Sequence, residues 1–262
     1  MVIQLHYHTG VILPFHNTGE ITWFLHEVKD PEFRGGLYGD GRNFLGGNFL
    51  KGVNTDSSPS DVAVREVQEE FWCKFEAPES LDQLLGARDP DDHTDLVDFP
   101  YDPSLLSKVQ HVGSMLTEGL VYAGDYIATH SGPVVPKGDV IHGLTVFLRQ
   151  LDETEFLLIK NALDDTNGRI TTDNVRWNSS VVFDSVERMN AGDNIYSWGY
   201  GRFTNELLAS GVLPSSVPQV KKVLPYSTFS KLIIPDSVQR DSIGSPILAS
   251  LEEQGVVQYR TI

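Results

Sequence analysis

Apolar residues alternate with polar ones at the start of the chain (Val2, Leu5, Tyr7) and then close into the run Val11-Ile12-Leu13-Pro14-Phe15. That pattern predicts a strand over residues 1–16 that becomes more deeply buried as it proceeds. Asn17-Thr18-Gly19-Glu20 reads as a turn and Ile21 to Val28 as the returning strand of a hairpin. The period then changes. Ala63, Val64, Val67 and Phe71 fall on one arc of a helix expected from Pro59 to about Trp72, with Ser58 as N-cap, Pro59 in the first helical position and Asp61 completing a capping-box-like start. Glu79 to Leu85 reads as a short helix, Asp89 to Pro103 as an exposed acidic loop, and Gly119 to Ala128 as a strand. Tyr101 to Met115 fits neither period decisively. Gly143 to Leu151 and Glu155 to Lys160 read as a second hairpin turning at Asp152-Glu153-Thr154. Asn174 to Ser180 reads as a loop, Val181 to Phe183 as a strand and Phe203 to Ala209 as a helix. Strands interleaved with few helices predict an α+β fold, a mixed sheet covered by helices.

The polar side of the Pro59–Trp72 helix carries the candidate chemistry. At about 100° per residue, Glu66, Glu69 and Glu70 share an arc roughly 100° wide. Like charges at these spacings repel, so the arrangement is self-destabilising unless a cation joins it. Mg²⁺ and Mn²⁺ are hard ions that prefer carboxylate oxygens. The plain alternative is a solvated acidic face, for the chain has 36 Asp+Glu against 20 Lys+Arg. Upstream, Gly46-Gly47 marks a turn where backbone comes close to something else.

Arg65-Glu66-Val67-Gln68-Glu69-Glu70, preceded by the Gly46-Gly47 turn and Gly52, resembles the signature of the Nudix hydrolases, a loop–helix–loop built on Arg-Glu-hydrophobic-x-Glu-Glu. The chain departs from that signature in three places. The loop between turn and helix is longer, Val53 stands where the first glutamate belongs, and Trp72 stands where a closing glycine belongs. A looser likeness, over Val181–Met189 and Tyr196–Leu208, matches the closing strand and helix of larger members. The resemblance implies an α/β/α sandwich over residues 1–212 with an irregular insertion at about 76–142; the Pro/Ser-rich segment 213–262 reads as an extension packed on that domain. It also implies hydrolysis of a nucleoside diphosphate linked to another moiety. Glu66, Glu69 and Glu70 would hold Mg²⁺ or Mn²⁺ with help from the Gly47 carbonyl. Arg65 would orient the glutamates, one of them acting as general base, and Glu118 would add a carboxylate from outside the helix. Lys51 is placed either to reach a phosphate or simply to be solvated.

Composition narrows this further. Hydrophobic content of 40% and charged content of 21% belong to an ordinary globular chain of 262 residues. No apolar run is long enough for a membrane span, and the N-terminus lacks the pattern of a secretory signal. A single Cys73 excludes an intrachain disulfide. The expectation is a cytoplasmic protein, with a homo-oligomer left open. A net charge of −16 argues against non-specific nucleic-acid binding but not against a small phosphorylated nucleotide met through metal ions. His6 and His8 share a strand face, and Asp91, Asp92, His93 and Asp95 crowd one loop; structural or solvated roles are the simpler account of both sets. Trp23, Trp198 and Tyr200 are candidates to stack a base or to pack a core. Ser131 and Ser185 show no nucleophile-elbow pattern. The rival function is a Nudix-like module kept for ligand binding or regulation. A weaker one is an acidic scaffold.

Overall fold

The computed structural model describes residues 3–33, 36–49, 58–73, 99–134, 139–231 and 257–259. After a short strand, β1 (Ile3–Leu5), the apolar run lies in β2 (Tyr7–Asn17), buried along almost its whole length. Burial on both faces is what a continuous apolar strand requires, and the main sheet is assembled around it. The expected hairpin forms: β3 (Thr22–Val28) returns antiparallel, with Phe15 opposite Phe24.

The next two strands fork the sheet. β4 (Arg42–Asn43) pairs with Glu27 and Val28 of β3, whereas β5 (Leu45–Phe49) pairs with His8 to Ile12 of β2. The chain changes partner at Phe44. On that side of β2, Leu13 and Pro14 pair with neither strand, so the residue that has no N–H falls in the gap. The acidic segment follows as α1 (Pro59–Glu70) and then α2 (Pro103–Leu116). β6 (Val121–His130) and β7 (Val140–Gln150) are antiparallel to each other, and β7 runs parallel to β2. α3 (Glu153–Thr166) and α4 (Thr172–Trp177) lead to β8 (Ser180–Asp184), antiparallel to β3. α5 (Val186–Ala191) and α6 (Tyr200–Ala209) follow. β9 (Ser227–Lys231) adds to β6, and β10 (Val257–Tyr259) pairs with β1 in a separate two-stranded sheet. The fold is α+β with a central mixed sheet and, among the described residues, six α-helices.

Two cores result. Ile12, Leu25 and Phe147 pack under α1, α2 and α3, while Val11, Leu13, Leu144 and Val146 pack on the opposite face under α5 and α6. Among the described residues, no helix is long and apolar enough to cross a membrane.

Several elements differ from the sequence reading. Glu155 to Lys160 is not a strand but part of α3. The apolar run Phe156-Leu157-Leu158-Ile159 suits either period, and the helix ends decide it. The Asp152 side chain accepts from Glu155 N (2.8 Å), the Glu155 carboxylate accepts from Asp152 N (2.9 Å), and Asn167 closes the helix in the left-handed region (φ 51°). The 174–180 loop is largely helix α4, started by the reciprocal cap of Thr171 and Asn174. Within the stretch expected to be an irregular insertion, Asp102 and Pro103 start the helix α2, and Val121–His130 is a full strand of the sheet. Residues 227–231, in the expected extension, form the edge strand β9. The short helix at 79–85, most of the 89–103 loop, the Asp91–Asp95 group, Val53 and Lys51 lie outside the described residues.

Trp72 performs the backbone task expected of glycine. It ends α1 with φ 56°, Trp72 N donates to Glu69 O (3.1 Å) and Cys73 N to Gln68 O (2.7 Å). A left-handed non-glycine residue carries an energetic cost. The ring is buried, meets Phe99 edge to face at 5.2 Å, and its carbonyl accepts from Gln110 Nε2 (2.7 Å). These contacts offset the strain.

Burial holds His8 and His26 down to about 3 and His130 down to about 4, the Arg42 charge adding to the effect at His26. Folded pKa values lie below the ordinary 6.5, so the unfolded chain takes up protons first as pH falls. Stability from these histidines is complete above about pH 6.5 and declines toward pH 4, each one removing about 1.4 kcal/mol per pH unit. Urea unfolding at pH 7.5 and 5.0 should show a clearly lower midpoint at pH 5.0; equal midpoints would contradict neutral, buried imidazoles.

Candidate active site

Helix α1 lies on the sheet where the sheet has no side chains. A methyl group on Gly10 of β2 would strike the Pro59 carbonyl oxygen, and one on Gly46 of β5, already at φ 134°, would strike the Gly10 carbonyl. A methyl on Gly47 would overlap the carboxyl carbon of Glu66. At Gly10 and Gly46 the atoms struck are backbone, which cannot yield as a flexible side chain can, so glycine is required there for this close approach. Ser58 fixes the start of the helix, its hydroxyl accepting from Asp61 N (3.2 Å). Val62, Ala63 and Val67 are fully buried, Ala63 and Val67 in the core that α1 shares with the sheet and α2. That rotation leaves Glu66 lying over Gly47.

Arg65 ties the neighbouring carboxylates together. Its Nη2 donates to Glu66 Oε1 (2.8 Å) and its Nη1 to Glu69 Oε2 (2.9 Å). The three side chains are 17%, 27% and 30% exposed, so these charge-assisted bonds are partly shielded from water. Glu70 sits at the same end. Its pKa is raised well above the usual range, first by burial and then by Asp173, Glu27 and Glu66, against the opposing charge of Lys29. The last turn of α1 contains no basic residue, so the carboxylates also lie at the negative end of the helix dipole.

Glu27 and Asp173 are the residues that sequence reasoning missed. Glu27, on β3, is 6% exposed, and Asp173 opens α4. Glu27 Oε2 pairs with Lys29 Nζ (2.5 Å), and its Oε1 accepts from Ser179 Oγ (3.2 Å). Asn174, fully buried, donates to Ser179 Oγ (2.9 Å) and accepts from Thr171 N (3.0 Å). One signal for Glu27 was available: a charged residue inside an otherwise buried strand.

Gly47, Arg65, Glu66, Glu69 and Glu70 are thus brought together. Glu118 is exposed in the turn after α2, and among the described residues no hydrogen bond or ion pair ties its side chain to the α1 carboxylates. Nor are any three His, Cys, Asp or Glu side chains among the described residues arranged to hold one metal ion. The carboxylates gather around Arg65 and Lys29 rather than converging on one point. Tyr200 stacks on Phe44 (4.3 Å) within the core, Trp23 lies beside Arg188, and Trp198, at φ 51°, packs on Tyr38. His8 Nε2 lies 2.7 Å from Thr145 Oγ1, which donates to Asp125, while Ile141 N donates to His6 Nδ1 (3.1 Å). These bonds give both histidines structural roles. Comparison with family models, curated proteins and solved structures returns no match.

The raised pKa of Glu70 has a definite sign. Keeping it charged costs stability at neutral pH, and the cost disappears below its ordinary value near 4.5. In chelator at pH 7, Glu70→Gln should therefore melt higher than the parent chain, by up to a few degrees. A lower melting temperature would show that the charge is compensated. Gly47→Ala should displace Glu66 and, if the site takes Mn²⁺, weaken that binding by about tenfold or more, a loss of about 1.4 kcal/mol or more, as read by titration calorimetry; unaltered affinity would separate Gly47 from the site.

Proposed function

We propose that this chain is a divalent-metal-dependent hydrolase of the Nudix type, cleaving the pyrophosphate of a nucleoside diphosphate linked to another moiety. The observation that carries the reading is the seating of Glu66 on Gly47 while Arg65 clamps Glu66 and Glu69 beside Glu70. Concentrated, mutually repelling carboxylates at a helix C-terminus weaken a fold, and a divalent cation is the partner that reverses their sign locally. Oxygen donors suit Mg²⁺ or Mn²⁺. Glu66, Glu69, Glu70 and the Gly47 carbonyl are the donors offered. The ion would supply charge neutralisation at the pyrophosphate and acidify water there.

The chain's own residues would do the rest. Arg65 holds Glu66 and Glu69 in fixed directions. Gly47 leaves room for the Glu66 carboxylate and for close approach of a substrate to backbone. Glu66 or Glu69 accepts the proton released as water attacks phosphorus. The α/β/α arrangement of helices on both sheet faces is in keeping with the Nudix fold that the sequence resembles.

The absence, among the described residues, of three donors directed at one point favours a second reading, a Nudix-like module that binds a nucleotide without turning it over. A screen of dinucleotides, nucleotide sugars and nucleoside triphosphates with Mg²⁺ and Mn²⁺ separates the two. Metal-dependent release of a nucleoside monophosphate is expected, and Glu69→Gln or Glu70→Gln should abolish it while the fold persists. Unchanged turnover in either variant removes that residue from its role. Binding without hydrolysis across the panel favours the module.

A further inference from the structure

We infer that the stacked histidines His130 and His142 form an acid-sensitive latch, which holds the edge strand β9 on the sheet at neutral pH and releases it on acidification, before the rest of the fold opens. The inference is independent of the metal-site reading. The latch lies on the sheet face opposite α1, beside the core that holds Leu144 and Val146. Four neighbouring strands each contribute one residue. Tyr7 of β2 pairs with His142 of β7, and His130 of β6 with Ser227 of β9. The rings form one stack, Tyr7 on His142 at 4.8 Å and 11°, and His142 on His130 at 4.8 Å and 29°. Stacked rings turn their faces rather than their lone pairs to each other, so the pair is not built to chelate.

Strand β9 closes the outer end of the stack. Ser227 Oγ donates to Trp198 O (3.4 Å), which turns its lone pairs to the His130 Nδ1–H (2.7 Å). Trp198 and Phe229 meet the His130 ring edge to face at 6.3 and 6.1 Å. A proton taken up in the closed state would therefore go to Nε2 and put a charge among buried aromatic rings. The groups around the pair are Tyr7, His6 and His8 from the N-terminal strands, Tyr200 from α6, and Trp198, Ser227 and Phe229. Among the described residues no carboxylate acts on either imidazole, whereas His16 has Glu153 at 3.0 Å. An unpaired buried charge is strongly unfavourable. Burial accordingly holds His130 down to about 4 and His142 well below its ordinary value. The least disruptive way to hydrate His130 is to lift β9, which ends the sheet and pairs with β6 alone among the described strands. The closed value lies below the ordinary 6.5 of an open, hydrated ring, so acid favours the open form. From those two values, His130 alone should make opening about thirtyfold more favourable at pH 5.0 than at pH 7.5.

The test is amide hydrogen exchange on the full 262-residue chain, with rates corrected for the intrinsic effect of pH and read for Ser227–Lys231 of β9 against Val11–Phe15 of β2. Between pH 7.5 and 5.0, opening of β9 should rise by about thirtyfold while β2 keeps its protection. His130→Asn keeps an N–H donor about where Nδ1 stands but does not titrate, so it should remove most of that rise. Equal opening of β9 at both pH values overturns the inference. So does loss of protection in β9 and β2 together, which is global unfolding, or a full rise in His130→Asn. Where His130→Asn does not fold, the wild-type profile decides. One imidazole that charges on opening gives a rise of close to tenfold per pH unit between about pH 6 and 4.5; a flat profile overturns the latch.

Discussion

The candidate site depends on how close a helix can come to a sheet. Gly10 and Gly46 meet each other and Pro59 through backbone atoms, and Gly47 meets Glu66. With side chains in this patch, α1 would ride higher, as helices on sheets normally do, and Glu66 would no longer reach the β5 backbone. The contact also fixes rotation. Ser58 sets the start of α1 and Val62, Ala63 and Val67 are buried, so the rotation that buries them also places Arg65, Glu66, Glu69 and Glu70. A turn of about 100°, one residue's worth, would bury a carboxylate and expose a valine. Site geometry here follows from core packing.

The fork in the sheet supplies the opposite side. Because the chain leaves β3 at Asn43 and joins β2 at Leu45, the Glu27 end of β3 is not occupied by β5 and comes into electrostatic range of the α1 C-terminus. Pro14 suits this arrangement, since a strand that changes partners has a position with no ladder bond to lose. β8 on the far side of β3 and the Thr171–Asn174 cap of α4 then fix Glu27 and bring in Asp173. One local change in pairing thus recruits charges distant in sequence.

What was legible from sequence was what is encoded locally. The Ser58-Pro59 start of α1, its apolar arc, the first hairpin and the buried run of β2 follow from caps and periodicity within a few residues, and so does the clustering of Arg65, Glu66, Glu69 and Glu70. Glu155 to Lys160 is helix where the sequence suggests strand because six residues with four consecutive apolar ones fit both equally. The deciding signal is the spacing of Asp152 and Glu155, a capping pair, where Asp152-Glu153-Thr154 also suits a turn. Trp72 stands out in the sequence as a departure from a closing glycine, whereas the contacts with Phe99 and Gln110 that let it take the left-handed region emerge only in the fold. Glu27 and Asp173 could not be linked to Glu70 without the topology, for nothing within a single strand or helix connects them.

Electrostatics joins these points. In a chain of net charge −16, each further carboxylate in a shielded place raises the cost of keeping the others ionised, and Glu70 shows that cost directly. Among the described residues two basic side chains limit it, Arg65 by its bonds to Glu66 and Glu69, and Lys29 by its charge beside Glu27. Arg65 is planar and donates from its two Nη atoms to two different carboxylates, so it mainly fixes direction. Lys29 is a compact charge that acts on several carboxylates at once, so it mainly fixes potential. The raised pKa of Glu70 is the part of that cost that these two basic side chains leave uncompensated.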